Sequence, residues 1–264
     1  MRSAFVLSVL FGLLVVVACS GTAKSTRPYP EPTVDDIVAR LAKARTELTS
    51  FRADSTMDYW LGGQRAKGEV LVMGEVGAKI RFAALSPAGG SSMAEMACDG
   101  QRFVYVDYQN NCSMTGPCNE GSIAQFFHIE LAPDDFLHLA VGTPPMVANP
   151  KGTLTWDATR GIEHVELTGT EGTEKLAIDM KEGHFDVLDA ELVGTDGKTR
   201  WSVTNTAFTD VGGKRVPNKS QFKSPLNKQD LLVDWGEAAN RSVNVALGAN
   251  KFVLAPPAGL RSCQ

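Results

Sequence analysis

The chain has 264 residues, with 26 Lys and Arg against 30 Asp and Glu, a formal net charge of −4. No Lys/Arg cluster interleaved with aromatics occurs, so that balance argues against nucleic acid as a partner. At 43% hydrophobic residues the length suits one large all-β domain or two small ones, and no break in composition beyond Pro32 marks a second.

Arg2 is followed by the uncharged apolar run Ala4 to Val17 and then by the small residue Ala18, a secretory signal pattern. The run is shorter than the roughly 20 apolar residues of a permanent membrane helix, so residues 1–18 are predicted to be a removable signal peptide. Val16-Val17-Ala18-Cys19 resembles the bacterial lipobox. The resemblance implies a lipidated cysteine, with fatty-acyl chains such as palmitate on Cys19 and cleavage just before it. It also implies, from Ser20 in place of an aspartate, residence at the cell outer membrane, on its periplasmic face, held by the lipid anchor. Residues 19–32, rich in Ser, Gly, Thr, Lys and Arg and with Pro28, Pro30 and Pro32 at alternate positions, read as a flexible tether. A single domain is expected over 33–264.

Thr33 followed by Asp35 and Asp36 predicts a helix start with negative charge at its positive end. The helix should run from Val34 to about Ser50, with Ile37, Leu41 and Leu48 on one stripe. The period then changes to two. In Lys79-Ile80-Arg81-Phe82-Ala83-Ala84, Ile80 and Phe82 share one face and Lys79 and Arg81 the other, the pattern of a half-buried strand. Further strands are predicted at 53–61, 69–73, 92–98, 102–108, 153–157, 163–168, 174–179, 187–193, 199–208, 215–222, 230–235 and 242–247. Gly62-Gly63, Asp99-Gly100, Asp196-Gly197 and Gly212-Gly213 supply hairpin turns. Between 119 and 142 the meander is interrupted. Pro133, Asp134 and Asp135 favour a second helix there, with Phe136, Leu137 and Leu139 as its apolar surface, and a shorter helical turn is expected near Ile123 to Phe127. The order predicts a mainly β fold with α: a curved antiparallel sheet covered by an N-terminal helix and a central helical lid.

Apart from Cys19 there are four cysteines, Cys98, Cys112, Cys118 and Cys263, and an even count in an exported chain favours two disulfides. Three pairings are open. The nearest pair in sequence, Cys112 with Cys118, could close a small loop, leaving Cys98 with Cys263. No histidine lies at ligand spacing from them, so no metal site is expected.

Several short stretches then resemble, in order, the Lol-type (LolA/LolB-like) superfamily of lipoprotein carriers and receptors. They are Phe51-Arg52-Ala53, Gly68-Glu69-Val70, Ile80-Arg81-Phe82 with Ser86-Pro87, Asp99-Gly100, Leu131-Ala132-Pro133-Asp134-Asp135-Phe136 with Gly142, and the ending Phe252 to Gly259. The resemblance implies a half-barrel with a helical lid, a hydrophobic cavity for a lipid or lipoprotein acyl chain, and no covalent chemistry. The family's receptors deliver cargo with an apolar residue on a protruding loop. Here the corresponding loop, Ser86 to Ser91, holds Pro87 and Ala88 but no large apolar side chain, which favours a divergent binder of lipid or of an envelope protein.

Candidate lining residues for the cavity are Val70, Val72, Ile80, Phe82, Phe103, Tyr105, Phe126, Phe127, Phe136 and Leu139. Trp60, Trp156, Trp201 and Trp235 as a set are also read as cavity lining. Enzymatic motifs are absent: there is no Gly-x-Ser-x-Gly and no His-Glu-x-x-His. His128, His138, His164 and His184 are scattered and read as solvent-facing, Gly194 to Thr199 reads as a hairpin turn, and no cofactor is expected.

Overall fold

The structure, a computed structural model, describes residues 25–61, 64–86, 90–119, 121 and 131–263. Helix α1 (Val34–Glu47) opens with a reciprocal cap. The Thr33 hydroxyl accepts from the Asp36 N–H at 3.1 Å, and the Asp36 carboxylate accepts from the Thr33 N–H at 2.9 Å, satisfying two donors that would otherwise be orphaned. Ile37 and Leu41 are fully buried. The helix stops short of Ser50 because Leu48 is already extended.

Six strands follow: β1 (Ser50–Leu61), β2 (Gln64–Glu75), β3 (Lys79–Leu85), β4 (Ser92–Asp99), β5 (Arg102–Asp107) and β6 (Cys112–Pro117). Helix α2 (Pro133–Ala140) comes next. The chain then returns to strands: β7 (Lys151–Asp157), β8 (Ile162–Thr168), β9 (Gly172–Asp179), β10 (Asp186–Gly194), β11 (Thr199–Thr206), β12 (Thr209–Val211), β13 (Lys214–Val216), β14 (Lys219–Ser224), β15 (Gln229–Asp234), β16 (Arg241–Val243) and β17 (Arg261–Ser262). All but β12 and β13 join one sheet, in the order β17-β6-β5-β4-β3-β2-β1-β15-β14-β11-β10-β9-β8-β7, with β16 beside the start of β1. Every pairing is antiparallel except β17 with β6. The terminal strands of this order do not meet, so the sheet is an open half-barrel, and its inner face shares one core with both helices.

Two departures from the sequence pattern have simple causes. β6 carries Thr115, Gly116 and Pro117 and shows no apolar alternation, yet it pairs with β5 from Cys112 to Pro117. The predicted strand over 215–222 is two strands, because residues 209–216 fold into the separate β12–β13 hairpin. The cysteines pair as Cys98–Cys118 and Cys112–Cys263. The small Cys112–Cys118 loop does not close because those residues bracket an extended strand, where six residues span about 20 Å and a disulfide needs Cα atoms within about 7 Å.

The second half of the predicted tether is not free. The Ser25 N–H donates to the Ala158 carbonyl at 2.8 Å, and the Trp156 indole N–H donates to the Ser25 carbonyl at 3.1 Å. Arg27 grips Glu163 with two hydrogen bonds, 2.7 and 3.2 Å, and Tyr29 meets Trp156 edge-on at 6.0 Å. Glu163 is fully buried, and without Arg27 it would be an uncompensated interior charge.

Candidate functional site

Alternation along the strands puts one set of side chains inside. Phe51, Ala53, Ser55, Met57 and Tyr59 of β1 lie opposite Gly74, Val72, Val70, Gly68 and Ala66 of β2. Pairing carries that face onward: Val70 lies beside Ala84, Val72 beside Phe82 and Gly74 beside Ile80. Met96 and Cys98 of β4 continue it to Tyr105 and Phe103 of β5. The six strand residues expected to line a cavity therefore do share one face.

At one end of this face α2 is pressed onto the sheet. Pro133 is at its start, and the Asp134 carboxylate accepts from the Gly77 N–H at 3.1 Å and the Ala78 N–H at 2.8 Å, which fastens the helix to the β2–β3 turn. Leu137 descends on Gly74, its Cδ1 only 3.0 Å from where a Cβ would stand. Phe136 packs edge-on against Phe82 with ring centroids 5.0 Å apart. The helix ends at Ala140, and two residues on Gly142 takes a φ of +82°, which suits glycine. Val72, Ile80, Phe82, Phe103, Phe136 and Leu139 are all buried here. Among the described residues they fill a core beneath the lid rather than line an open space. Phe126 and Phe127 lie outside the described residues.

Toward the other end the face is hollow. An apolar recess of about 210 Å³ is lined by Met57, Tyr59, Ala66, Gly68, Val70 and Leu231, with Ala84 at its side. Its cause is side-chain size: alanine and glycine occupy the inward positions of β2 and β3 where the lidded end has Val72, Ile80 and Phe82. A Cβ built on Gly68 would meet no atom within 4 Å. Val70 is thus the candidate lining residue that borders this recess, and Tyr105 is half-buried on the same face. Sequence reading missed Ala66, Gly68 and Ala84 because it sought large apolar residues. The hollow is larger than the ~150 Å³ apolar cavity that accepts benzene and smaller than the roughly 300–1,000 Å³ of drug-sized sites. It suits the end of an alkyl chain.

The tryptophans do not line it as a set. Trp235 packs edge-on against Phe51 and Trp201 stacks on Phe222, both in the core. Trp60 lies under Arg65 and Trp156 under Arg27, each guanidinium over its ring.

Behind the lid is a small polar cluster. Arg45 of α1 donates to the Pro144 carbonyl at 3.0 Å and to the Asp135 carboxylate, tying α1 to α2. His138, buried rather than solvent-facing, is pushed down to about 4 by burial, with Arg45 adding to the shift. Glu174 is fully buried and accepts from the Val147 N–H at 3.4 Å. Burial pushes its carboxyl up to about 7. Among the described residues no group of three His, Cys, Asp or Glu side chains is placed to hold a metal, and no helix is long and apolar enough to cross a membrane.

No protein-family model and no curated protein matches the sequence. Solved structures do match. A DUF1329 family protein from Desulfovibrio piger superposes with a TM-score of 0.56 at 12% identity, covering 83% of this chain and 95% of that one. A LolA superfamily protein from Nitrosomonas europaea gives 0.54 at 13% identity, over 85% of this chain and 99% of that one. A protein from Vibrio parahaemolyticus, described as an outer membrane lipoprotein-sorting protein domain, gives 0.54 at 11% identity, over 82% and 94%. At such identities the likeness concerns fold alone. The lidded, open antiparallel half-barrel of this chain is a Lol-type fold.

Proposed function

We propose that this chain is an exported lipoprotein that binds a lipid or lipoprotein acyl chain on the inner face of its half-barrel, without covalent chemistry. In this reading residues 1–18 are removed, Cys19 carries the lipid anchor, and the domain over 33–264 stands on the periplasmic face of the outer membrane. The observation that carries it is the recess at Ala66, Gly68, Val70 and Tyr59 on an otherwise packed apolar face. Binding draws on apolar area removed from water at about 25 cal/mol per Å². A whole acyl chain needs more room than the recess offers, so uptake is expected to spread the contact between α2 and the sheet, where Phe136 meets Phe82.

The test is direct titration of delipidated mature protein with a fluorescent fatty acid. Saturable uptake is expected, and Gly68→Leu, which places a side chain in the empty space, should weaken it at least tenfold while the fold is retained. Absence of uptake by the unmodified protein sinks the reading. The filled core under the lid favours a second reading, an interaction module of the same fold that binds another envelope protein on its outer surface. That module takes up no fatty acid and is indifferent to Gly68→Leu.

A further inference from the structure

We infer that the docked strap 25–32 fixes how the domain stands on its membrane: the rim bearing the β7–β8 turn faces the lipid surface, and the hollow opens at the opposite rim. The inference rests on the anchored reading above.

Antiparallel connectivity divides the turns between two rims. The turns at 76–78, 158–161 and 180–185 fall on one, and those at 195–198 and 225–228 on the other. The strap enters at the first rim, where Ser25 bonds to Ala158 of the β7–β8 turn. Arg27 then locks it to Glu163, whose side chain is fully buried while that of Arg27 is 16% exposed, so this is a partly buried clamp rather than an exposed ion pair. Tyr29 and Arg27 both rest on Trp156. The recess lies toward the second rim, since Tyr59 pairs with Leu231 and Leu231 with Phe222, close to the 225–228 turn.

Length turns this placement into an orientation. From Cys19 to Ser25 the chain reaches at most about 20 Å, whereas nine-residue β10 alone sets the rims ~30 Å apart. The leash is shorter than the body it holds. Thr159 and Arg160, exposed on the near rim, suit a hydrated headgroup layer. The opposing feature is Leu226, 49% exposed on the far rim, which would favour the reverse stance.

The experiment uses mature protein with a maleimide lipid coupled to Cys19, since the other four cysteines are held in disulfides. Thr159→p-acetylphenylalanine or Thr195→p-acetylphenylalanine carries a donor dye, and energy transfer is read to headgroup acceptors in vesicles of phosphatidylethanolamine and phosphatidylglycerol. Severalfold stronger transfer from position 159 is expected. Equal transfer, or stronger transfer from position 195, overturns the inference. Arg27→Ala combined with Glu163→Gln removes the clamp without stranding a charge. In that variant, shown folded by circular dichroism, the difference should shrink at least twofold, and an undiminished difference also overturns the inference. Because the lipid is attached chemically, the outcome does not depend on lipidation in cells. The mass of the Cys19 peptide from cell-derived protein tests the anchored reading separately.

Discussion

Strand β2 has two inward glycines six residues apart, and their surroundings differ completely. At Gly74 a Cβ would stand 3.0 Å from Leu137 and 3.4 Å from the Lys79 carbonyl, whereas at Gly68 it would meet nothing within 4 Å. One glycine is the floor on which the lid rests, and the other is part of the recess wall. The same alternation and the same residue type thus give packing at one end and space at the other. What decides is whether a helix is brought down onto the position. Asp134 brings α2 to the β2–β3 turn, and nothing comparable among the described residues covers Ala66 and Gly68.

Breaking the packed end should have the largest effect. Phe82→Ala removes a fully buried ring that meets Phe136 and should cost about 3–5 kcal/mol, read by urea denaturation. Acidity should act next, through the groups behind the lid. His138 falls from its ordinary 6.5 to about 4 in the folded state. The unfolded chain therefore binds more protons between those values, and stability is lost as pH drops through that window, by up to about 3 kcal/mol. Glu174 rises from 4.5 to about 7, so its contribution is present below pH 4.5 and is lost as pH rises toward 7. The two slopes oppose each other, and stability should be nearly flat between pH 4.5 and 6.5. Glu174→Gln should remove the alkaline loss and leave stability rising with pH up to 6.5, as denaturation curves across that range would report.

The glycine pair sharpens the contrast at smaller cost. Gly74→Ala forces Leu137 to shift and should destabilise by about 1–3 kcal/mol. Gly68→Ala should be neutral or stabilise by up to ~1 kcal/mol, because it restricts the unfolded chain without a clash. If the two substitutions cost the same in thermal unfolding, the distinction between lidded and hollow ends fails.

Much of this fold could be read from period alone. Ile80 and Phe82 against Lys79 and Arg81 define the inner and outer faces correctly, and Thr33 with Asp36 marks the first helix start. What escaped was whatever lacks an apolar pattern. β6 is recruited by pairing with β5 and by two disulfides, and the strap is held by the Arg27–Glu163 ion pair across 136 residues together with contacts of Ser25 and Tyr29 to the β7–β8 hairpin. For the site, aromatic and branched residues are what sequence offers as lining, yet Phe82, Phe103 and Phe136 fill the interior. In a close-packed protein the vacancy arises where the inward residues are small, and Ala66 and Gly68 give no hydrophobic signal of their own.

The two disulfides have a consequence for when the molecule is finished. Both converge on β6, one joining its end to Cys98 and the other its first residue to Cys263 beside β17. An outer strand of such low intrinsic strand preference is a natural place for fraying and for unwanted pairing with another chain. Thiols bridge durably only in an oxidising compartment. In the exported reading proposed above, the sheet would gain a sealed flank only after leaving the reducing cytosol, which would couple maturation of that border to secretion.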